Sequence, residues 1–192
     1  GGHGAGGPRR GRIGRGMSGT EGFFARCGQA HLLVVGDVMV DAYLWGRVDR
    51  ISPEAPVPVV QVTRRSARLG GAANVALNAQ ALGATATIAT VVGDDPDADR
   101  IGALLREQRS PAEGIVRSKL RRTTVKTRVI SGHQHVVRVD EEQEDELSQE
   151  DERALLDRIA ALMAARRPDA IVLEDYNKGV LTAAVIDGVI RL

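Results

Sequence analysis

Carboxylates at the ends of apolar runs are the first residues here with the means to do chemistry. His31-Leu-Leu-Val-Val-Gly-Asp37 reads as a short buried strand ending in an acid, and Ala170-Ile-Val-Leu-Glu174 as another, followed at once by Asp175. In an open parallel sheet, ligands sit outside the carboxyl ends of the strands. Asp37 and the Glu174-Asp175 pair therefore fall in one crevice. Gly70-Gly71 opens a helix whose first amides can face the same place. Other candidates carry less. His133 and His135 are two apart, a spacing that points both side chains one way on a strand. With no third ligand nearby they read as a polar turn and not as a metal site. The acidic run from Asp140 to Glu152 fits no calcium-loop spacing and reads as a solvated linker entering a helix. Gly14, Gly16 and Gly19 match a GxGxxG pattern, but no strand is read before them and no amphipathic helix after them. A dinucleotide-dependent oxidoreductase rests on that match alone.

The elements that must position these residues follow from periodicity. Residues 44–50 and 57–63 read as strands around the turn Ser52-Pro53-Glu54-Ala55-Pro56. A helix is expected from Gly70-Gly71 to about Leu82, closed by Gly83, then an apolar strand over Thr85–Val92 and a helix over about 95–108. Residues 123–131 and 134–140 alternate around Ser131-Gly132-His133-Gln134, a hairpin. Ser148, with Asp151 three residues on, resembles a capping box. It starts a helix with Leu155, Leu156, Ile159 and Leu162 on one face, and Thr182 caps a last helix. Strands alternating with helices call for a parallel sheet covered on both faces. The hairpin-like pieces break that alternation and fit a small separate sheet over one edge.

Composition narrows the class. The chain has 192 residues, 43% of them apolar and 3% aromatic, which supports a packed core and argues against base stacking. Twenty-six Lys and Arg against 25 Asp and Glu leave a net charge of +1, so no basic field points to nucleic acid. Of the 26, all but Lys119, Lys126 and Lys178 are arginine. Residues 1–30 are Gly/Arg-rich and aperiodic, and are read as a disordered tail in which Met17 is the expected true start. No secretory h-region is found, and no run approaches the ~18 apolar residues of a membrane helix. Cys27 is the only cysteine, which fits a reducing compartment and a cytoplasmic protein.

Gly70-Gly71-Ala72-Ala73-Asn74, with Gly83 and Gly93 at fixed distances, resembles the first signature of the ribokinase-like (PfkB-type) carbohydrate kinases. Paired glycines let backbone approach a sugar, and the Asn74 amide can both donate to and accept from hydroxyls. Val35-Gly36-Asp37-Val38-Met39-Val40-Asp41 looks like the family's first strand and its sugar-binding aspartate. Arg50-Ile51-Ser52-Pro53-Glu54-Ala55-Pro56-Val57-Pro58-Val59 resembles a lid segment of the heptose 7-phosphate kinase branch. Thr124 to Arg128, Val137 to Asp140, and Glu174 to Gly179 resemble that branch's second lid hairpin and its Asp-Tyr-x-Lys-Gly stretch. The likeness runs from about Leu32 to Leu192.

The resemblance implies an α/β fold: a ribokinase-like parallel sheet with helices on both faces and a small β-sheet lid at about 43–63 and 123–140, the C-terminal part of the fold being absent. It implies an ATP- and Mg2+-dependent transfer of the γ-phosphate to the anomeric hydroxyl of D-glycero-β-D-manno-heptose 7-phosphate, for lipopolysaccharide core heptose. Asp37, Asp41, Gly70, Gly71, Asn74 and Asp175 would read hydroxyls. Lys126, Arg128, Arg138 and Lys178 would grip the existing phosphate, Arg as a fork and Lys as a point charge. A homodimer through the lid strands is expected, with neither nucleic acid nor membrane as partner. The family's Gly-Ala-Gly-Asp turn, which carries its anion hole and catalytic base, does not occur here. No catalytic residue is therefore assigned, and the chain alone, read as a fragment, is expected to be inactive. Another sugar or nucleoside kinase, or a non-catalytic sugar-binding or dimerising module, are the alternatives.

Overall fold

A computed structural model describes residues 19–192, apart from the side chain of Glu21. Most of the Gly/Arg-rich segment, with Met17 and the glycines at 14 and 16, lies outside the described residues. The expectation of a tail through residue 30 needs correction at its end, because α1 spans Gly19–Cys27. Glu21 to Arg26 holds no proline and only one glycine, and Phe23 packs edge-on against Phe24 at 5.5 Å.

Four strands form the main sheet: β1 (His31–Gly36), β4 (Thr85–Gly93), β5 (Ile115–Ser118) and β8 (Ala170–Glu174), in the order β5-β4-β1-β8 and all parallel. Their apolar runs are covered on both faces, as parallel strands require. On one face, Val34, Ile88 and Val92 pack under α2 (Ala72–Ala81) and α3 (Pro96–Glu107), which contribute Ala73, Ala76, Ile101 and Leu105. On the other, Leu33, Val35, Ala89 and Val91 meet α4 (Gln149–Ala165) and α5 (Ala183–Arg191) through Leu155, Ile159, Val185 and Val189. Successive residues of β1 and β4 thus serve opposite cores. Asp95 caps α3 by accepting from Ala98 N at 2.9 Å, with Pro96 opening its first turn. Thr182 caps α5 in the same way. Ser148 Oγ accepts from Asp151 N at 3.1 Å, but Asp151 does not return the bond to the cap amide. Its carboxylate accepts from the hydroxyls of Ser148 and Ser118 instead, tying α4 to the end of β5.

The second sheet has the order β3-β2-β6-β7, built from β2 (Val38–Ile51), β3 (Pro58–Gly71), β6 (Thr124–Ser131) and β7 (Gln134–Glu141). Only β2 and β6 pair parallel; the two outer pairs are antiparallel. The strands expected at 44–50 and 57–63 are longer than read. Strand β2 begins one residue after Asp37, and β3 runs through Gly71 into α2. Their inner ends bury Val40, Ala42 and Leu69 in the first core, so the lid is rooted in the main domain. Among the described residues no helix is long and apolar enough to cross a membrane.

Candidate substrate-binding site

Asp37 stands at the junction of β1 and β2, where the two sheets meet. The residue is 1% exposed. Oδ2 accepts from Tyr176 N at 2.8 Å and Lys178 N at 3.1 Å, and Oδ1 accepts from Val180 N at 3.1 Å. Its backbone carbonyl accepts from Ala72 N at 2.9 Å. One residue therefore holds the loop after β8 and the first turn of α2. Against the expectation that Asp37 reads a sugar hydroxyl, its buried carboxylate accepts from three protein amides and holds the loop after β8. The first amide of α2, Ala72 N, is likewise taken up by protein.

The paired glycines are explained by the same close approach. Gly71 has φ +59°, and a Cβ there would lie 2.1 Å from the Asp37 carbonyl oxygen. A Cβ on Gly70 would lie 2.5 Å from Asp41 Oδ2. Gly93 answers to a different neighbour, as its Cβ would meet the Asp95 carboxylate that caps α3.

Beyond this hinge the lid carries the charges. Asp41, Tyr43 and Trp45 alternate along one face of β2, while Val40 and Ala42 face the core. Register places Lys126 of β6 opposite Asp41 and Arg128 opposite Tyr43. Arg128 Nη1 donates to Asp41 Oδ1 at 2.5 Å, and its guanidinium sits 5.5 Å from the Tyr43 ring centre. Burial would lower the Arg128 pKa, but the bond and charge of Asp41 outweigh it and raise it. Arg138 Nε donates to both oxygens of Asp140, at 2.9 and 3.1 Å. Lys126 Nζ lies 3.3 Å from Asp140 and 2.5 Å from Glu142. Lys178 Nζ, with a side chain only 9% exposed, lies 3.0 Å from Glu144 and 3.4 Å from Glu142. Burial opposes its charge, yet the two carboxylates raise its pKa above the ordinary lysine value.

Contacts in the structure thus link Asp41, Gly70, Lys126, Arg128, Arg138 and Lys178 along the lid and the loop after β8. Asp175 is exposed beside them, its Oδ1 accepting from Asn177 N at 2.7 Å. Asn74 stands apart. It lines a hollow of about 250 Å3 with Ala67, Leu69, Leu77 and Leu104, and no other predicted site residue borders that hollow. Three participants were not singled out from sequence. Glu142 and Glu144 belong to the stretch read as a solvated linker, although the two-residue spacing Arg138, Asp140, Glu142 continues the β7 alternation. Arg121, half-buried, donates to the Lys178 carbonyl, and burial depresses its pKa. The cluster is a network in which four basic side chains, Lys126, Arg128, Arg138 and Lys178, are paired with four carboxylates, Asp41, Asp140, Glu142 and Glu144. Among the described residues no three His, Cys, Asp or Glu side chains converge as a metal site would need.

A parallel sheet with a strand lid rooted at the sugar-kinase glycine signature defines the class. The "pfkB family carbohydrate kinase" profile matches residues 29–184, and the chain belongs to that family. Among its relatives are two proteins described as "Bifunctional protein HldE". That of Citrifermentans bemidjiense is 44% identical over 172 residues, covering 90% of this chain and 35% of the relative. That of Pelobacter propionicus is 47% identical over 166 residues, covering 86% and 34%. The chain spans about a third of the length of these relatives. In fold it is similar to Escherichia coli phosphofructokinase-2 solved with fructose-6-phosphate, with TM-score 0.60 and 17% identity over 84% of this chain and 51% of that one. It is also similar to a putative ribokinase from Agrobacterium tumefaciens, with TM-score 0.51 and 22% identity over 75% and 44%.

Proposed function

We propose that this chain is the sugar-binding and lid portion of a kinase that transfers the ATP γ-phosphate to the anomeric hydroxyl of D-glycero-β-D-manno-heptose 7-phosphate, giving the 1,7-bisphosphate for lipopolysaccharide core heptose. The observation that carries the reading is the convergence of basic side chains, Lys126 and Arg128 on β6 with Lys178 on the loop after β8, beside Asp41, each held by a carboxylate in the free protein. A neutral sugar needs hydroxyl partners alone. A sugar that already bears a phosphate needs cationic donors as well, since a phosphate carries about −1.5 to −2 charge at neutral pH. The relatives' description as bifunctional HldE proteins supports the heptose assignment.

ATP and Mg2+ are the cofactors of the proposed reaction. Within the chain, Asp41 and Asp175 read hydroxyls, the Lys126, Arg128, Arg138 and Lys178 group holds the sugar's phosphate, and Asp37 fixes the loop that carries Lys178. We place the protein in the cytoplasm, and we propose that two copies associate through lid strands, because β3 and β7 are both sheet edges and β7 exposes Val137 and Val139.

The test is substrate comparison with the full-length protein that carries this chain. Heptose 7-phosphate is expected to be phosphorylated at C1, read by phosphorus NMR, at kcat/KM at least 100-fold above ribose or fructose 6-phosphate. Equal or better turnover of either alternative would make the protein a different sugar kinase.

A further inference from the structure

The proposed phosphate grip is already filled by an anion of the protein's own. Glu142 is the first residue after β7. Its carboxylate lies 2.5 Å from Lys126 Nζ on the lid and 3.4 Å from Lys178 Nζ on the loop after β8. One side chain thus ties the lid to the loop that follows β8. The outer contacts are arranged in series: Asp140 holds Lys126 from one side, Glu144 holds Lys178 from the other, and Arg138 holds Asp140. The bridge is not a rim pair, since the side chains of Lys126 and Glu142 are only 16% and 23% exposed. The hydrogen bond and charge of Lys126 hold the Glu142 carboxyl below its ordinary value of 4.5, so it is fully ionised at neutral pH.

A carboxylate and a phosphate monoester are oxyanions that use the same ammonium donors. Lysine exchanges partners readily, because it offers three donors on a flexible stem and imposes no fork geometry. A phosphate brings nearly twice the charge of one carboxylate. We propose that Glu142 is an internal competitor of the substrate: through Lys178 it latches the lid to the loop after β8 in the free protein, and it yields both Lys126 and Lys178 to the phosphate of an incoming sugar phosphate. Lid release is then coupled to substrate charge. A neutral sugar leaves the latch closed, so Glu142 acts as a specificity device against unphosphorylated sugars. The inference rests on Lys126 and Lys178 being the phosphate grip. It goes beyond that reading by assigning their resting partner a function.

The experiment is a titration of the full-length protein with inorganic phosphate, followed by calorimetry. Glu142→Gln keeps the shape and removes the competing charge. Phosphate affinity is expected to rise five- to ten-fold, and hydrogen exchange of the 134–141 amides in the free protein to quicken. Glu141→Gln is the control: it makes the same change in net charge at an exposed neighbour, and a change under two-fold is expected. Glu142→Gln combined with Lys126→Met is expected to lose the gain. Unchanged or weaker phosphate binding in Glu142→Gln overturns the latch, as does an equal gain in Glu141→Gln. The two readings fail separately. If heptose 7-phosphate is not a substrate but Glu142→Gln tightens phosphate binding through Lys126, the latch stands and the substrate assignment falls. If heptose 7-phosphate is turned over while Glu142→Gln changes neither its KM nor phosphate affinity, the latch falls and the assignment stands.

Discussion

Asp37 and Gly71 show how a site is built from contacts that never touch a ligand. The Asp37 carboxylate accepts three backbone N–H groups, and hydrogen bonds to a charged acceptor contribute about 1.5–3 kcal/mol each. Asp37→Ala leaves those buried amides without a partner. It is expected to destabilise the protein by about 3 kcal/mol or more and to quicken hydrogen exchange at Tyr176, Lys178 and Val180, read by mass spectrometry. Asp37→Asn keeps one accepting oxygen and should lose less. Gly71→Ala forces a side chain into the left-handed region, where strain is about 1–3 kcal/mol, and drives its Cβ against the Asp37 carbonyl. A lower urea midpoint with unchanged slope is the expected result; an unchanged midpoint would show that this junction is not close-packed. Asp37 is legible from sequence as important but not in its role, since the partners of its carboxylate lie 139 or more residues away.

At the scale of elements, the lid and the acidic segment after it behave as one charged unit. The Asp140 carboxyl is raised by burial, but Arg138 and Lys126 outweigh that and hold it below its ordinary 3.8; Lys126 holds Glu142 below 4.5. Groups so depressed add stability that is full above their ordinary values and is lost as pH falls through the lower folded-state values. Lys178, raised above 10.5, adds stability that is full below that value and is lost as pH climbs past it. Hydrogen exchange of the 134–146 amides, corrected for the intrinsic pH effect, should therefore be flat through neutrality and rise once pH drops well below 4. A rise already at pH 6 would contradict the network.

Much of this architecture is visible in the chain. The apolar run Thr85–Val92, the helix behind Ser148 and the hairpin around Gly132 are found close to where periodicity puts them, and the lid's Lys126, Arg128 and Arg138 do gather near Asp41. What escaped has physical reasons. Strand β5 is four residues long, too short to show a period. Strands β2 and β3 extend past their readable cores because Asp41, Tyr43 and Trp45 alternate with buried residues at a sheet root. Glu142 and Glu144 look solvated until the fold brings Lys178 from 34 or more positions away. Asn74, the amide of the glycine signature, borders a hollow apart from the other expected site residues.

For the whole molecule, the proposal has consequences for assembly and turnover. Light scattering of the full-length protein should give a dimer that dissociates when Val137 and Val139 are both replaced by Lys; a concentration-independent monomer would remove the lid interface. The 192-residue chain alone, without a Gly-Ala-Gly-Asp turn, should phosphorylate no sugar. Whether the lid's cations grip a phosphorylated sugar is read from the KM for heptose 7-phosphate in Lys126→Met of the full-length protein. Loss of one charge-assisted contact of about 1.5–3 kcal/mol predicts a KM raised at least ten-fold with kcat within about three-fold. A folded variant with the wild-type KM would show that the sugar's phosphate is held somewhere else.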